Sequence, residues 1–530
     1  MKLTLESIKD RASWQGYHLP DYDPAKIAEN TRKAPAWLHF GPGNIFRAFP
    51  TVLCQRLIEQ GKMDTGIICC SGRSPETIVE CLRPHDNLTI AVTMGADGSM
   101  DKEIVASVTD SLTMQYDLPR IQQIFEMPCL QMVSFTITEK GYALRGADGE
   151  LMPAIAADMD RGPDECTEFM PRMAAMCLQR KKACGKPLSM VSMDNCSHNG
   201  EKFRSAILEI AGAWLQRGKI TAEEYGYLEN EIAFPWSMID KITPRPNAAV
   251  EAELQKDGVE DASLFVTSKQ SYVAPFVNAE KPQYLVIEDQ FPNGRPPLEE
   301  AGVIFTTRET VDKVEKMKVS TCLNPLHTAL SVFGCLLGYT LICEEMKDAD
   351  LVNLVRLLGY KEGLPVVTNP GILNPREFLD EVVEQRLPNP FMPDAPQRIA
   401  MDTSQKVGVR FGVTVRSYLE RGLEPAELVA LPLAIAGWMR YLLAVDDTGK
   451  EMEVSPDPLK EELQGKLSDI IWNRPESYHG QLKEILSNVS IFGCDLVEAG
   501  LSDKIEGYFK EMLAGAGAVR ATLHKYTGDK

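Results

Sequence analysis

A glycine-rich turn near the start of the chain has the features of a phosphate-binding loop. Gly41 and Gly43 follow an apolar run, and Asn44 stands where a helical pattern begins. Glycines let a backbone approach a pyrophosphate closely, and a helix start supplies N–H groups and the positive end of its dipole. We therefore predict a dinucleotide site whose turn residues are Gly41, Gly43, Asn44, Ile45 and Phe46. Because Phe46 replaces the third glycine of the usual fingerprint, a plain strand-to-helix turn would explain this motif, taken alone, equally well.

Two further segments place polar side chains directly after predicted strands. Thr136 and Glu139 lie in S-F-T-I-T-E-K-G-Y, and Asp194 and Asn195 lie in V-S-M-D-N-C-S-H-N-G. Open α/β sheets bind ligands at the carboxyl ends of their strands, which favours a functional interpretation and assigns Thr136 and Glu139 to the cofactor site. Each segment also has a structural explanation, since threonines can be solvated on an edge strand and an Asp-Asn pair can cap a helix.

Other side chains capable of chemistry lie further along the chain. Asp240 occurs in F-P-W-S-M-I-D-K-I-T-P, and Lys318, Asn324 and His327 occur in K-V-S-T-C-L-N-P-L-H. Asn324 and His327 are three residues apart and would share one face of a helix. The pair C-S-H after Asn195 has no second Cys or His pair nearby, so we predict no zinc or other metal site.

The composition excludes several classes of partner. The 530 residues carry a formal net charge of −19, which repels nucleic acids and anionic membrane surfaces. The first residues lack the apolar region of a signal peptide, and no uncharged stretch is long enough to span a membrane. We therefore expect a cytoplasmic protein, a monomer or small homo-oligomer, that binds a small molecule and neither nucleic acid nor membrane.

The order of the patterns predicts an α/β fold in two domains. Apolar, β-branched runs at 36–40, 66–70, 132–138 and 188–193 alternate with helical patterns, as in a parallel sheet with crossover helices. From about residue 311 the spacing becomes helical, with predicted helices at 323–346, 348–358, 374–385, 424–443, 458–471 and 481–486. We expect a dinucleotide-binding domain over residues 1–300 and a mainly α-helical substrate and catalytic domain over 301–530.

Taken together, these segments resemble one family, the long-chain polyol-specific dehydrogenases, also called the mannitol dehydrogenase family. The combination of T-I-T-E-K-G-Y, D-N-x-x-x-N-G, D-K-I-T-P and L-N-x-x-H is specific, and the similarity runs from about His39 to Lys406. The resemblance implies a Rossmann-type N-terminal domain and a helical C-terminal domain. It also implies hydride transfer, without a metal, between a nicotinamide dinucleotide and a sugar-derived alcohol or ketone.

The resemblance further implies roles for individual residues. Asn195 and Asn324 match the amides that polarise the reacting carbonyl oxygen, and His327 matches a histidine that binds substrate hydroxyls. Asp240 matches an aspartate near the catalytic centre. These roles agree with the chemistry, because reduction of a ketone places negative charge on its oxygen, which amide N–H groups and an ammonium group stabilise.

The expected catalytic lysine departs from the family pattern. The family has it five residues before the asparagine, where this chain has Val319, and Lys318 is one residue further away. In a regular α-helix a residue six before Asn324 is rotated by about 240° from it and points away. Pro325 lacks an N–H and weakens the helix there, so we predict a π-type bulge or a non-helical stretch that returns Lys318 to the face of Asn324.

The expected substrate is a sugar acid, with reduction of fructuronate to mannonate preferred. Arg386, which precedes N-P, and Lys406, in a segment like the family's D-G-S-x-K, could hold its carboxylate. The expected cofactor is NAD, but NADP is not excluded, because Arg73 follows the second strand where an acidic residue usually binds the ribose. Two alternatives stay open: a dehydrogenase of an uncharged alditol such as mannitol or arabinitol, and a non-catalytic dinucleotide-binding sensor.

Overall fold

The computed structural model describes residues 1–146 and 148–528 and divides into two compact units. The first unit comprises Met1–Val311 and the second comprises Asp312–Lys530. Among the described residues no helix is long and apolar enough to cross a membrane.

The described residues form fifteen strands, and all of them belong to the first unit. In chain order they are β1 Tyr17–His18, β2 Trp37–Phe40, β3 Ile67–Ser71, β4 Thr89–Met94, β5 Met100–Val105, β6 Val108–Thr113, β7 Met132–Phe135, β8 Leu188–Ser192, β9 Ile232–Ala233, β10 Ser237–Asp240, β11 Phe265–Val266, β12 Tyr272–Val273, β13 Phe276–Glu280, β14 Tyr284–Glu288 and β15 Ile304–Thr306.

Helices occur in both units, and the tenth runs across their division. The first nine are α1 Pro24–Lys33, α2 Asn44–Ala48, α3 Pro50–Glu59, α4 Leu118–Glu126, α5 Pro153–Arg161, α6 Phe169–Ala183, α7 Asn199–Gln216, α8 Ala222–Asn230 and α9 Ala248–Lys256. The others are α10 Arg308–Met317, α11 Asn324–Leu337, α12 Ile342–Glu345, α13 Ala349–Arg356, α14 Pro375–Glu381, α15 Pro396–Ile399, α16 Val413–Glu420, α17 Ala430–Tyr441, α18 Lys460–Lys466, α19 Leu482–Leu486, α20 Val489–Phe492, α21 Ser502–Met512 and α22 Ala518–Thr527.

The main sheet of the first unit is parallel, with the strand order β6-β3-β2-β7-β8-β9. The chain builds outward from β2 in one direction through β3 and β6, and then in the other through β7, β8 and β9. This is the doubly wound dinucleotide-binding order, in which ligands bind at the carboxyl ends of the two strands where the order reverses. Those two strands are β2 and β7.

The strands of this sheet are buried on both faces, as their uninterrupted apolar sequences require. Along β2, Trp37 packs into a core on one face, whereas Leu38 and Phe40 pack into a core on the other. Ile67 and Ile68 of β3 divide between the two cores in the same way. This alternation is the period of two that a strand imposes. The predicted α/β class with a Rossmann-type domain is confirmed.

The smaller sheets of the first unit lie outside the predicted strands. One has the order β1-β5-β4-β13, another has the order β10-β14-β15, and β11 pairs with β12. Of these strands, β10 bears on function, because it ends at Asp240.

The second unit is helical, as predicted, but several predicted helices are interrupted. The helix predicted over 323–346 ends at Leu337, because Gly338 adopts a left-handed conformation with φ of 82° and caps α11. The helices predicted over 348–358 and 374–385 pass into π-helical turns at Leu357–Gly363 and Val382–Arg386. Another π-helical turn, Lys318–Cys322, connects α10 to the residue before α11. Apolar spacing does not distinguish such turns from regular helix.

Glu345, at the end of α12, is buried, and neither oxygen of its carboxyl group has a hydrogen-bond partner among the described residues. Gly334 of α11 makes room for it, since a Cβ there would lie 2.0 Å from Oε1 of Glu345. Burial, with repulsion from Asp348 and Asp394, raises the pKa of Glu345 to about 9. The folded protein therefore holds this group protonated at neutral pH.

We expect the Glu345 proton to make folding stability depend on pH. The folded pKa lies above the unfolded value of 4.5, so the contribution is complete below pH 4.5 and is lost as the pH rises toward about 9. The limiting slope is about 1.4 kcal/mol per pH unit. Glu345→Gln should lose less stability than the wild type between pH 6 and pH 8, measured by urea unfolding. The exposed control Glu498→Gln should follow the wild type, and equal slopes for all three proteins would contradict the expectation.

Candidate active site

The two glycines of the turn after β2 serve different purposes. Gly41 has φ of 110°, and a Cβ on it would lie 2.3 Å from the carbonyl oxygen of Thr136. Its N–H donates to the carbonyl of Cys70 at 3.0 Å, so this glycine packs between the ends of β3 and β7. A Cβ on Gly43, in contrast, would face open space. Gly41 is thus needed for packing, and Gly43 leaves the start of α2 open to the backbone of a ligand.

A buried histidine contacts the glycine turn and holds it by hydrogen bonds. His39 of β2 contacts Ser134 Oγ at 2.7 Å through Nδ1, and through Nε2 it contacts Thr136 Oγ1 at 3.0 Å and Gly41 O at 3.1 Å. Phe46 stacks on the imidazole ring, with centroids 3.8 Å apart. Burial lowers the pKa of His39 to about 3, so the ring is neutral. This packing against His39 explains why the chain has Phe46 where the usual fingerprint has its third glycine.

The side chain of Asn44 is engaged within the first unit. Its Nδ2 donates to the carbonyl of Pro244 at 3.1 Å, and its Oδ1 accepts from Nη2 of Arg47 at 3.1 Å. The buried Arg47 in turn donates to the carbonyl of Ala274 at 2.7 Å. Ile45 is partly buried against the core. Asn44 and Ile45 thus offer a dinucleotide their backbone at the start of α2, while their side chains hold the turn in place.

The segment after β3, which is the second strand of the dinucleotide-binding sheet in chain order, carries a positive side chain and no acidic one. After β3 the chain continues Gly72-Arg73-Ser74, and Arg73 is exposed with no ion pair among the described residues. The nearest acidic residue in sequence is Glu76, which accepts from the backbone N–H of Ser268 at 3.0 Å. The position that usually binds ribose hydroxyls through a carboxylate therefore presents a guanidinium instead.

The two predicted cofactor residues after β7 differ in their surroundings. The hydroxyl of Thr136 donates to the carbonyl of Gly41 at 2.7 Å and so ties the glycine turn to β7. Glu139 is exposed and forms an ion pair with Lys202. The structure thus brings Thr136 to the turn, where it acts through the backbone of Gly41, and places Glu139 on the surface.

The motif after β8 is organised by a residue that the sequence interpretation left out. Asn195 is exposed, whereas Asn199 is fully buried. Asn199 donates to Asp194 Oδ1 at 3.3 Å and accepts from the backbone N–H of Ser237 at 3.1 Å. These bonds join the segment after β8 to the start of β10. Asp194 also accepts from Tyr142, and burial raises its pKa. Asn199 is the second asparagine of the motif D-N-x-x-x-N-G, and its place in that motif is the sequence signal that could have identified it.

Asp240 lies at the end of β10 and is buried. Its neighbour Lys241 points elsewhere, because its ammonium donates to the carbonyl of Glu280 at 2.8 Å and to Gln283 Oε1 at 2.7 Å. Since Asn199 pairs with the first residue of β10, the strand that carries Asp240 is fixed to the motif that carries Asn195. Within the first unit these two predicted catalytic residues therefore belong to one hydrogen-bonded framework.

In the second unit Lys318 begins the π-helical turn that the spacing predicts. The backbone N–H of Leu323 donates to the carbonyl of Lys318 at 3.1 Å, which spans five residues instead of four. Leu323 itself leaves helical geometry, with φ of −128°, and α11 begins at Asn324. The predicted bulge between Lys318 and Leu323 is confirmed. Lys318 is 7% exposed, so nearly all of the residue is withdrawn from solvent.

His327 lies in the first turn of α11 among several arginines. Burial lowers the pKa of His327 to about 4. The positive charges of Arg386 and Arg410 add to this effect, whereas Asp394 opposes it. The imidazole is therefore neutral, so one nitrogen can donate a hydrogen bond and the other can accept one. A neutral imidazole suits a residue that binds sugar hydroxyls.

The two basic residues predicted to hold a carboxylate have different environments. Arg386 is buried at the end of a π-helical turn, and its charge acts on His327. The ammonium group of Lys406 donates to the backbone carbonyls of Met401 and Ile399. Burial lowers the pKa of Lys406, and the positive charge of Arg410 lowers it further. Lys406 therefore serves partly to hold its own loop.

The described residues include no group of three or more His, Cys, Asp or Glu side chains that could hold a metal ion. His198, next to the C-S-H segment, has a left-handed backbone with φ of 50° and stacks on Trp236 with centroids 4.3 Å apart.

The comparison with protein-family models agrees with these features. Residues 35–300 match the mannitol dehydrogenase Rossmann domain, and residues 310–513 match the mannitol dehydrogenase C-terminal domain. The chain belongs to the mannitol dehydrogenase family. It is thus an oxidoreductase that acts on a CH–OH group, and the predicted family is confirmed.

Individual relatives cover most or all of the chain. It is 50% identical to the D-mannonate oxidoreductase of Thermotoga maritima, over 100% of this chain and 99% of that protein. It is 29% identical to the polyol:NADP oxidoreductase of Gluconobacter oxydans, over 88% of this chain and 90% of that one. Mannitol 2-dehydrogenase of Pseudomonas fluorescens, solved as a ternary complex with NAD and D-mannitol, aligns over 100% of both chains with a TM-score of 0.73 and 25% identity.

We expect alanine at the two glycines to have separable effects. Gly41→Ala should lower the free energy of unfolding by roughly 1–3 kcal/mol, because its Cβ would meet Thr136 at an unfavourable φ. Gly43→Ala should fold with unchanged stability but bind NADH more weakly, because its methyl group would project into the open side of the turn. Calorimetry and fluorescence titration measure the two effects. Wild-type NADH affinity in Gly43→Ala would show that the dinucleotide does not approach this turn.

Proposed function

We propose that the protein transfers a hydride between NAD(H) and a sugar acid, reducing fructuronate to mannonate or running the reverse reaction, with Lys318 as the acid/base. The observation that carries this proposal is the π-helical turn at Lys318–Cys322. It accommodates the one-residue displacement of the lysine and leads directly into the turn of α11 that holds Asn324 and His327.

The residues of the second unit have the properties that ketone reduction requires. Lys318 supplies an ammonium group that can give a proton to the alkoxide oxygen as it forms, and Asn324 supplies a neutral amide donor to the same oxygen. The neutral His327 positions a neighbouring hydroxyl group. The bound nicotinamide supplies the hydride. In the direction of oxidation Lys318 accepts the proton from the alcohol. The family resemblance also gives Asn195 and Asp240 a part, and those assignments stay predictions.

The preference for a sugar acid is supported by charge and by similarity. The chain has a net charge of −19, yet positive side chains collect around His327. Such a local excess favours an anionic substrate. The relative with 50% identity is a D-mannonate oxidoreductase, whereas the mannitol-bound structure is 25% identical. An uncharged alditol is therefore the second candidate.

The choice of NAD rests on the similarity to the family, because the residues after β3 do not favour NAD over NADP. The glycine turn fits a dinucleotide, since Gly43 leaves its approach open and α2 begins beside it. The exposed guanidinium group of Arg73 can donate hydrogen bonds to a 2′-phosphate as well as to a ribose hydroxyl. The name of one relative also specifies NADP. The mannitol-bound relative contains NAD. We propose NAD(H) as the preferred cofactor, with measurable use of NADP(H).

A steady-state comparison of four ketones with NADH and NADPH tests the proposed function. Fructuronate should have the highest kcat/KM, ahead of tagaturonate, fructose and xylulose, because it is the only one that combines a carboxylate with the expected stereochemistry. NADH should be preferred. A higher kcat/KM for fructose would favour the alditol alternative, and a kcat/KM for NADPH about tenfold above that for NADH would overturn the cofactor assignment.

Replacement of Lys318 tests the proposed acid/base. Lys318→Ala should lower kcat about 10²-fold to 10⁴-fold, the usual contribution of a general acid, with a smaller change in KM. The control is Lys316→Ala, which removes an exposed lysine two residues before Lys318. Lys316 pairs with Asp312 on α10, and its removal should leave kcat at the wild-type value. If Lys318→Ala keeps most of its kcat, another group moves the proton.

A further inference from the structure

Arg410 is a basic residue near His327 that no motif in the sequence indicates. It lies in the π-helical turn Gly408–Gly412, which packs against both Lys318–Cys322 and α11. Its Nη1 donates to the hydroxyl of Thr328 at 2.6 Å, and that hydroxyl donates to the carbonyl of Asn324 at 3.0 Å. Arg410 is therefore held by the same turn of α11 that carries the candidate amide and imidazole.

Arg410 has no acidic partner in the part of the chain that the structure describes. Among residues 1–146 and 148–528 it forms no ion pair, and Thr328 is its one hydrogen-bond partner. Burial alone lowers its pKa to about 10, so the group is still charged at neutral pH. Asp394, whose negative charge acts on His327, is already paired with Arg398. A partly buried guanidinium without a counter-ion is costly unless a ligand supplies the negative charge.

We propose that Arg410 binds the carboxylate of the substrate and selects sugar acids over uncharged sugars. The inference rests on the proposed function and gives its substrate preference a structural cause. Arg410 suits this task better than Lys406, because the ammonium group of Lys406 is engaged by two backbone carbonyls. A guanidinium also presents a planar pair of N–H donors that matches a carboxylate, which an ammonium group does not. One nitrogen of Arg410 contacts Thr328, and its remaining N–H groups can turn toward the ligand.

The test compares a charged and an uncharged substrate in matched variants. Arg410→Gln should raise KM for fructuronate between about tenfold and a hundredfold, the usual effect of losing a hydrogen bond to a charged group. KM for fructose should change less than about twofold. Arg410→Lys should fall between the wild type and Arg410→Gln for fructuronate, because it keeps the charge and loses the paired donors.

The control for this test is Arg416→Ala. It removes a positive charge that is six residues further along and that donates to the carbonyl of Gly493, and it should preserve the ratio of the two KM values. Equal changes in KM for fructuronate and fructose in Arg410→Gln, or no change in either, would overturn the inference and leave the proposed function intact. The proposed function fails separately if the wild-type enzyme turns over fructose and no keto acid. In that case an unaltered KM for fructose in Arg410→Gln would not restore the proposed substrate.

Discussion

The geometry of the candidate catalytic segment depends on one missing hydrogen-bond donor. Pro325 has no N–H, so it cannot continue the α10 hydrogen-bond pattern into α11, and the residue before it is disfavoured in helical geometry. The chain resolves this with the five-residue bond from Leu323 to Lys318, followed by a fresh helix start at Asn324. The extra residue that displaces Lys318 from the family position is absorbed in the same place. A lysine out of register in sequence is thus compatible with a catalytic position in space.

The second constraint is electrostatic and acts around α11. Within the described ranges the Glu345 carboxyl group has no hydrogen-bond partner, and its pKa is raised to about 9. This acid therefore contributes no negative charge at neutral pH. Arg410 lacks an acidic partner among the described residues, and His327 is neutral. The charge of Arg410 is therefore not neutralised by an acid among the described residues. In a chain whose overall charge is −19, a partly buried guanidinium group without an acidic partner favours an anionic ligand over a neutral one.

The sequence predicts the elements better than the contacts. Uninterrupted apolar runs locate β2, β3, β7 and β8 to within a few residues, because a buried parallel strand requires them. The spacing of Lys318 and Pro325 predicts the bulge, because backbone chemistry is local. The roles of Asn199 and Arg410 depend on which segments meet in the fold, so spacing could not assign them. For the same reason the sequence predicts Asn44 and Lys406 as binding residues but does not show that backbone carbonyls engage their side chains.

Two histidines show how one physical cause can serve different purposes. Burial lowers the pKa of His39 to about 3 and that of His327 to about 4, so both rings are neutral at every pH at which the enzyme is expected to work. The ring of His39 joins the glycine turn to β7, where a positive charge would cost stability without a counter-ion. The ring of His327 lies among arginines, where a further positive charge would be repelled. A change in activity between pH 5 and pH 9 must therefore come from a group other than these two histidines.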